Sequence, residues 1–323
     1  MPEQLFPNIF RGFIPLPRNP LKAVNSYVIK GDDRFLIIDT GMNRPECREP
    51  MDEYLKSLEV DLSRADFFIT HFHADHIGLV SELAQPSSKV YLSTEDDFMF
   101  RDPEFWNNMS KTALINGFPE EKVLDAIHRH PGYKYHARHN FNSSIVKDGD
   151  EIAIGDYVLR CISTPGHTSG HMCLYEPGKK ILFSGDHILE TITPNISLWA
   201  ENRNPLKEYL QSLDRIYDME IAQVLPGHRE PFAHCRKRID ELQKHHKLRN
   251  REILSILKNG EMSAWQVASR MTWDISCKLW EHFPLPQQWF ASGEALAHLQ
   301  YLTGEGKIYR HLYEGKALFA LQK

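Results

Sequence analysis

The motif THFHADHIG, residues 70–78, carries four candidate metal ligands within six residues, namely His71, His73, Asp75 and His76. It directly follows the apolar run DFFI, which is typical of a buried β-strand. Since alternate residues of an extended segment point to the same side, we expect the imidazoles of His71 and His73 to converge. Asp75 and His76 follow where the chain bends, so a second direction is open to them. Such a ligand-dense turn after a buried strand indicates a metal site rather than a run of solvated histidines.

Three later turns repeat this arrangement, each after an apolar run that predicts a strand. They are STPGHTSG, FSGDH and LPGH, and they offer His167, Asp186 and His228 as further candidate ligands. Each turn alone is a weak signal, since most GH and GD pairs are only turns. Their joint occurrence at the ends of separate strands is typical of a rigid scaffold that presents functional residues on loops at one edge.

The candidate ligands are imidazoles and carboxylates without a thiolate, which suits zinc, iron or manganese rather than a structural zinc knot. Seven ligands are too many for one tetrahedral ion. They are enough for two ions about 3.5–4 Å apart that share a carboxylate and leave room for water. The sequence therefore predicts two divalent metal ions as cofactors, with zinc preferred and iron or manganese as alternatives.

The composition limits the class of protein. The chain has 323 residues, of which 41% are hydrophobic and 25% charged, and no stretch approaches the ~20 apolar residues of a membrane helix. The N-terminus lacks the pattern of a secretory signal, so we expect a cytoplasmic protein without a membrane partner. The five cysteines include no CxxC pair, which argues against a disulfide framework. A net charge of -5 is a poor match for a polyanionic substrate.

The pattern of apolar residues divides the chain in two. Residues 1–232 are predicted to form an α+β catalytic domain of strands and helices, with a helical insert at about 94–140. Residues 233–323 are predicted to form a helical, winged-helix-like domain. Its expected elements are helices over 234–258, 263–271 and 292–302, and a hairpin that turns at Glu314 and Gly315.

The order HxHxDH, GH, GD and GH resembles the motif set of the metallo-β-lactamase superfamily, over roughly residues 8–232. The resemblance implies an αββα sandwich with metals at one edge. It implies that the first metal is bound by His71, His73 and His167, and the second by Asp75, His76 and His228, with Asp186 bridging them. It also implies a catalytic role for Asp75, which would orient the nucleophilic hydroxide.

The winged-helix-like tail is similar to the subgroup that contains β-lactamase-like protein 2 and bacterial hydrolases of the glyoxalase II type. True glyoxalase II has instead a helical C-terminal part that binds glutathione. We therefore expect a metal-dependent hydrolase that attacks a small ester, thioester or lactone through a metal-bridging hydroxide. The alternatives within the superfamily are a phosphodiesterase or ribonuclease, and a mononuclear-iron persulfide dioxygenase that would use His71, His167 and Asp186. A binding or regulatory module that retains metals is the non-enzymatic alternative.

Other residues are candidates for supporting roles. His171 and His187 lie next to candidate ligands in sequence, which suits hydrogen-bond partners that orient them. The insert is rich in aromatic residues, so it forms either a self-packed subdomain or a lid over the metals. The tentative substrate-pocket residues are Phe98, Phe105, Trp106, Ile196 and Trp199.

The expected partner is a small-molecule substrate. The segment SGEALAHLQYL, where a winged helix would have its recognition helix, is nearly uncharged, whereas phosphate contacts need Lys and Arg. We therefore expect no nucleic-acid binding. The tail is expected to pack against the catalytic domain or to form a homodimer.

Overall fold

Two β-sheets form the centre of the protein in a computed structural model that describes residues 2–138, 140–198, 203–275, 277 and 279–322. Within these residues the first sheet has seven strands in chain order: β1 (Glu3–Phe6), β2 (Ile9–Pro15), β3 (Ala23–Lys30), β4 (Phe35–Ile38), β5 (Ala65–Phe68), β6 (Val90–Ser93) and β7 (Ser143–Val146). The second sheet has five: β8 (Glu151–Ile154), β9 (Tyr157–Ser163), β10 (Met172–Glu176), β11 (Ile181–Gly185) and β12 (Gln223–Pro226).

Helices cover the sheets and form most of the C-terminal part. In the described residues they are α1 (Pro45–Ser57), α2 (Ala74–Ile77), α3 (Val80–Leu83), α4 (Thr94–Arg101), α5 (Phe105–Ile115), α6 (Glu120–Arg129), α7 (Pro131–Lys134), α8 (Pro205–Tyr217), α9 (Cys235–Ile256), α10 (Ala264–Ala268) and α11 (Leu285–Gly304). None of these helices in the described ranges is both long and apolar enough to cross a membrane. The chain closes with a two-stranded sheet of β13 (Ile308–Tyr313) and β14 (Lys316–Leu321).

The two large sheets pack face to face around a shared apolar core. Tyr27 of β3 and Phe183 of β11 meet across this interface, with ring centroids 5.3 Å apart, and Phe68 of β5 belongs to the same buried cluster. Each fully buried side chain of this size stabilises the fold by about 1.5–3 kcal/mol. Face-to-face packing of two sheets is the inner part of the predicted sandwich.

Helices pack on both outer faces. On the first sheet, Met51 and Tyr54 of α1 are buried against Phe67 of β5. On the second sheet, Tyr209 of α8 is buried against Leu182 of β11. The layers therefore run helix, sheet, sheet, helix, and the predicted α+β fold of the αββα type is confirmed.

The strand directions bring several loops to one edge. β4, β5, β6 and β7 run parallel to one another. β11 pairs parallel with β12 and antiparallel with β10, which pairs antiparallel with β9, so β9, β11 and β12 share one direction. Because the carboxyl ends of strands that run the same way lie at the same edge, the turns that carry His167, Asp186 and His228 are neighbours.

The predicted insert contains α4 to α7, which lie in sequence between β6 and β7. α6 is strongly amphipathic: Val123, Ala126 and Ile127 follow helical spacing and are buried. They join an aromatic cluster with Phe105 of α5 and Trp289 of α11. The insert therefore packs on the C-terminal part of the chain.

The C-terminal part has the predicted order of three helices and a hairpin. The hairpin turns at Glu314 and Gly315 as expected, and both have the positive φ angles, 48° and 77°, that a tight two-residue turn requires. The last helix, α11, begins at Leu285, earlier than the predicted 292. Pro286 lies in its first turn, where a missing N–H costs no intrahelical hydrogen bond.

Candidate metal centre

The first four candidate ligands lie where β5 ends and the short helix α2 begins. His71 lies three residues after the end of β5, and His73 is the extended residue that precedes α2, with φ -61° and ψ 146°. Asp75 and His76 belong to α2. This change from extended to helical backbone gives the motif two ligand directions, as its spacing predicted.

Three imidazoles form a first group. His167 Nε2 lies 3.2 Å from His71 Nε2 and 3.1 Å from His73 Nδ1. These three nitrogens come from two turns that are distant in sequence and belong to different sheets. Their mutual spacing leaves a position where one cation would contact all three.

A second group contains Asp75, His76 and His228. Asp75 Oδ2 lies 3.4 Å from His228 Nε2 and 3.9 Å from His76 Nε2. Asp186 lies between the two groups, since its Oδ2 is 3.7 Å from His167 Nε2 and 3.4 Å from His228 Nε2. The structure thus brings all seven candidate ligands together.

Glycines allow this close approach. A Cβ on Gly227 would lie 2.6 Å from Asp186 Oδ1 and 2.9 Å from His76 Cε1, so the residue before His228 has no room for a side chain. Gly185, before Asp186, has a φ of 47°, a conformation that favours glycine.

The donor atoms fit bound cations. His76 Nε2, His228 Nε2 and Asp186 Oδ1 are buried and lack a hydrogen-bond partner within the described part of the chain. Such atoms are costly unless a partner satisfies them, and metal ions bind imidazole and carboxylate at about 2.0–2.2 Å. We conclude that these residues suit a divalent metal.

The charges of the site also favour cations. Burial raises the pKa of Asp186, but the neighbouring charges of His228 and His76 hold it well below its ordinary value. Burial lowers the pKa of His228, yet Asp186 and Asp75 raise it to about 10. The buried carboxylates are therefore stabilised by nearby positive charge. Protonated imidazoles provide this charge here, and bound metal ions would provide it in their place. Burial holds the pKa of His71 well below its ordinary value, which keeps this imidazole neutral and able to bind a metal.

Asp39 follows β4 and orients candidate metal ligands, although it is not a candidate ligand itself. Its Oδ2 lies 2.8 Å from His76 Nδ1 and accepts a hydrogen bond of 2.8 Å from the Thr70 hydroxyl. That hydroxyl lies 3.0 Å from His71 Nδ1. Asp39 has a φ of 56°, an unfavourable conformation that is common at functional sites. The sequence analysis missed Asp39, although its place at the end of a buried strand is the same signal that marked the ligands.

Backbone carbonyls orient two further ligands. His228 Nδ1 lies 2.6 Å from the carbonyl of Ala23, and His167 Nδ1 lies 2.8 Å from that of Asn195. A carbonyl accepts a hydrogen bond only from N–H, so each imidazole in its neutral form has an Nε2 without hydrogen that can bind a metal. Sequence motifs carry no signal for these contacts, because any residue supplies a carbonyl.

The two histidines that were predicted to support ligands are both buried. His171 Nε2 accepts a hydrogen bond of 3.2 Å from the N–H of Asp186, and its Nδ1 lies 2.8 Å from the Thr164 hydroxyl. His171 therefore fixes the backbone of the bridging position. The ring of His187 packs instead against Tyr209, with centroids 5.2 Å apart.

Asp96 of α4 connects the first two ligand turns. Its carboxylate accepts hydrogen bonds from the N–H of Phe72 (3.0 Å), the hydroxyl of Thr168 (2.7 Å) and the N–H of Gly170 (2.7 Å). Burial raises the pKa of Asp96 to about 6, against these hydrogen bonds, which lower it. The sequence analysis missed this residue because it lies in the insert, far from either motif.

The tentative substrate-pocket residues have different environments. Phe105 and Trp106 lie in the aromatic cluster of the insert, and the Trp106 ring is 5.0 Å from that of His130. Ile196 is fully buried beside α8, whereas Phe98 is 71% exposed on the surface. Trp199 lies outside the described residues.

A narrow, largely apolar cleft lies between the insert and α11. We call it the α5–α11 cleft. Its lining is Met109, Thr112, Ala113, Asn116, Phe118, His130, Ser197, Leu198, Ala264, Trp289, Phe290, Ser292, Gly293 and Leu296. Of the predicted pocket residues that the structure describes, none lines this cleft, although several of their neighbours do.

A double sheet between helices, with seven convergent histidines and aspartates at one edge, defines a metal-binding sandwich of the hydrolase type. The sequence model of the metallo-β-lactamase superfamily matches residues 19–228. The chain belongs to this superfamily, whose members generally bind divalent metals.

Three proteins show the range of similarity. A metallo-β-lactamase family protein from Thermus thermophilus superimposes with a TM-score of 0.83 and 30% identity, covering 99% of this chain and 100% of that one. A β-lactamase-like protein 2 homologue from Caenorhabditis elegans is 27% identical, over 75% of this chain and 68% of its own length. An atrochrysone carboxyl ACP thioesterase from Aspergillus fumigatus is 25% identical, over 74% of this chain and 61% of its own length.

Proposed function

We propose that the protein hydrolyses a small ester, thioester or lactone at a site for two divalent metal ions, with zinc preferred. The observation that carries this proposal is the position of Asp186, whose carboxylate lies between His167 of the first group and His228 of the second. Bound metal ions would supply a nucleophile at neutral pH and polarise the scissile carbonyl.

The residues of the site would have separate roles in metal binding and in orienting the attacking group. His71, His73 and His167 would hold the first ion, and Asp75, His76 and His228 the second. Asp75, beside His228, is the proposed catalytic carboxylate that orients the attacking group. Asp39 and the carbonyl of Asn195 hold the imidazoles of His76 and His167 in place, so little reorganisation is needed at reaction.

Two observations support this function over its alternatives. The second ligand group has no role in a mononuclear-iron persulfide dioxygenase, which would need only three of the seven residues. The cleft lining is largely apolar, which suits an acyl group better than the polyanion that a phosphodiesterase binds. The thioesterase among the relatives is consistent with acyl chemistry. The cytoplasmic location, the homodimer and the lack of nucleic-acid binding stay predictions.

Metal analysis and hydrolysis of thioesters by the same protein samples test the proposal. We expect about two metal ions per wild-type chain, and loss of both metal and hydrolysis in the Asp186→Ala and His71→Ala variants. His128→Ala removes an exposed histidine from α6 and serves as the control, with unchanged metal content and rate. Full activity with one ion per chain, or in Asp186→Ala, contradicts the two-metal proposal.

A further inference from the structure

We propose that the α5–α11 cleft binds the apolar acyl portion of the substrate, so that the C-terminal part of the chain forms one wall of the substrate site. This inference rests on the proposed function, which places the scissile carbonyl at the metal centre. The main walls of the cleft come from three separate parts of the chain, namely α5 and its following loop, the segment around Ser197, and α11, and His130 and Ala264 complete the lining.

One short segment of the chain connects the metal centre with the cleft. Asn195 accepts the hydrogen bond of the ligand His167 through its carbonyl, and Ser197 and Leu198 line the cleft directly afterwards. The Ser197 hydroxyl donates a hydrogen bond of 2.7 Å to Asn195 Oδ1. A substrate whose carbonyl lies at the metals could therefore extend along this segment into the cleft.

His130 provides a second link between the cleft and the metal-binding edge. It lines the cleft, with the ring of Phe290 of α11 at 4.9 Å, and α7, which begins at the next residue, packs against the ligand helix α2. His130 Nδ1 accepts a hydrogen bond of 3.0 Å from the N–H of Gly132, so the ring proton is on Nε2. A neutral N–H donor is thus available within the lining for a polar atom of the substrate.

The lining indicates the class of group that binds. Its large side chains are aromatic or aliphatic, and among the described lining residues none carries a formal charge. The polar members are short hydroxyl and amide side chains and the neutral His130. These features fit an uncharged hydrocarbon chain or ring. They disfavour phosphates and carboxylates, because the lining has no charge to offset the cost of removing these anions from water.

Ala113 and Ser292 allow the cleft to be blocked from either wall. Ala113 lies on α5 and Ser292 on α11, and both are half-buried in the lining. Ala113→Phe and Ser292→Phe each add an aromatic ring to the space. Asn108→Phe places the same ring on the exposed face of α5 and is the matched control. Thermal unfolding of each variant checks that it folds.

The first measurement is kcat/KM of the metal-loaded protein for acetyl and octanoyl thioesters of N-acetylcysteamine. We expect the wild type to prefer the octanoyl thioester by about 10-fold or more, because its chain buries additional methylenes. Ala113→Phe and Ser292→Phe lower the octanoyl-to-acetyl ratio by about 10-fold, and Asn108→Phe leaves it unchanged. An unchanged ratio in both cleft variants overturns the proposal.

The second measurement is calorimetric titration with octan-1-ol, an uncharged probe with the same chain length, which does not require hydrolysis. We expect binding to the wild type and to Asn108→Phe, and at least about 10-fold weaker binding to both cleft variants. If this pattern holds but no thioester is hydrolysed, the cleft stands and the proposed function fails. If acetyl thioester is hydrolysed without any preference for octanoyl, the proposed function stands and the cleft proposal is wrong.

Discussion

Two regions of the molecule depend on different interactions. The metal-binding edge carries the seven candidate ligands, and the helical side consists of the insert, α4 to α7, and the C-terminal helices α9 to α11. At the edge, each ligand follows a buried strand within a few residues, and its orientation depends on hydrogen bonds such as those of Asp39 and the Asn195 carbonyl. On the helical side, the α5–α11 cleft is formed by apolar packing between helices that are distant in sequence. Local motifs therefore specify the ligands, whereas only tertiary packing specifies the cleft.

The two regions also differ in charge. The edge contains buried carboxylates and imidazoles whose pKa values are strongly shifted, as at Asp186 and His228. The cleft lining is uncharged among its described residues. This contrast implies that substitutions at the edge change metal binding, whereas substitutions on the helical side change stability or substrate preference. Four predictions test that separation.

The largest effect is expected at Asp96, where the insert joins the metal-binding edge. Asp96→Ala would remove the acceptor of two buried donors, from Thr168 and Gly170, and of the half-buried N–H of Phe72. An unsatisfied buried donor costs about 1–3 kcal/mol, so we expect the free energy of unfolding to fall by about 3 kcal/mol. Urea denaturation of the metal-free variant measures this change.

The isosteric variant Asp96→Asn keeps one acceptor oxygen, and we expect it to lose about half as much stability. Asp97→Ala is a neighbouring control, since Asp97 bonds Arg101 and Ser143 at the side of the insert away from the ligand turns. Equal losses in Asp96→Ala and Asp97→Ala would show that Asp96 has no special part in joining the two regions.

The sequence predicted the metal-binding edge much better than the helical side, and the contrast above explains why. His71, Asp186 and the other ligands lie in Gly- or His-rich turns after apolar runs, a signal confined to a few residues. Asp39 carried the same signal in weaker form and was missed. The early start of α11 at Leu285 was missed as well, although Pro286 lies in the first helical turn, where proline is tolerated.

The cleft and Asp96 could not be predicted in this way. Which face of α5 meets α11 depends on how the insert packs, and no local pattern encodes that. Aromatic richness drew attention to Phe98, which is 71% exposed, rather than to Met109, which lines the cleft. Composition indicates that an apolar surface exists, but only the packing shows which side chains form it.

The second prediction concerns the metal-binding edge alone. Asp39→Ala removes the acceptor of His76 Nδ1 and of the Thr70 hydroxyl. Loss of such an orienting partner typically weakens metal affinity roughly 10- to 100-fold, and we expect a loss in that range. Competition with a chromophoric chelator measures it. Preference for octanoyl over acetyl thioesters should not change, and a changed preference would contradict the separation of the two regions.

The third prediction concerns the helical side alone, where His246 of α9 and His298 of α11 are buried in contact, with His246 Nδ1 3.2 Å from His298 Nε2. Burial lowers the pKa of His246 to about 3 and holds that of His298 well below its ordinary value. Since an unfolded histidine titrates near 6.5, the unfolded state gains protons first as the pH falls. Stability is therefore complete above about pH 6.5 and is lost below it.

We expect the free energy of unfolding to fall by about 2 kcal/mol between pH 7.5 and about pH 5.8 from this pair, about 1 kcal/mol for each histidine. The double variant His246→Gln, His298→Gln should show a correspondingly flatter dependence in urea denaturation at the two pH values. Metal content at pH 7.5 should match the wild type. An identical pH dependence in wild type and double variant would show that the pair is not neutral in the folded protein.

The smallest effect is expected where the two regions touch. Glu294 of α11 accepts a hydrogen bond of 3.2 Å from Asn195 Nδ2, and the carbonyl of Asn195 holds the ligand His167. Glu294→Ala would loosen Asn195 and so affect a metal ligand from the helical side. We expect metal affinity at the first group to fall by about threefold, less than for a direct partner of a ligand.

Cobalt-substituted protein offers the sharpest measurement, because its visible spectrum reports the ligand geometry and not only the stability of the fold. Glu252→Ala is the matched control: Glu252 pairs with Arg249, as Glu294 does, but it lies on α9 and bonds Thr272 instead of Asn195. A spectral change in Glu294→Ala and none in Glu252→Ala means that the C-terminal helix helps to position His167. The same spectrum in both variants means that α11 contributes to the substrate cleft without influence on the metals, and the two regions are then fully separable.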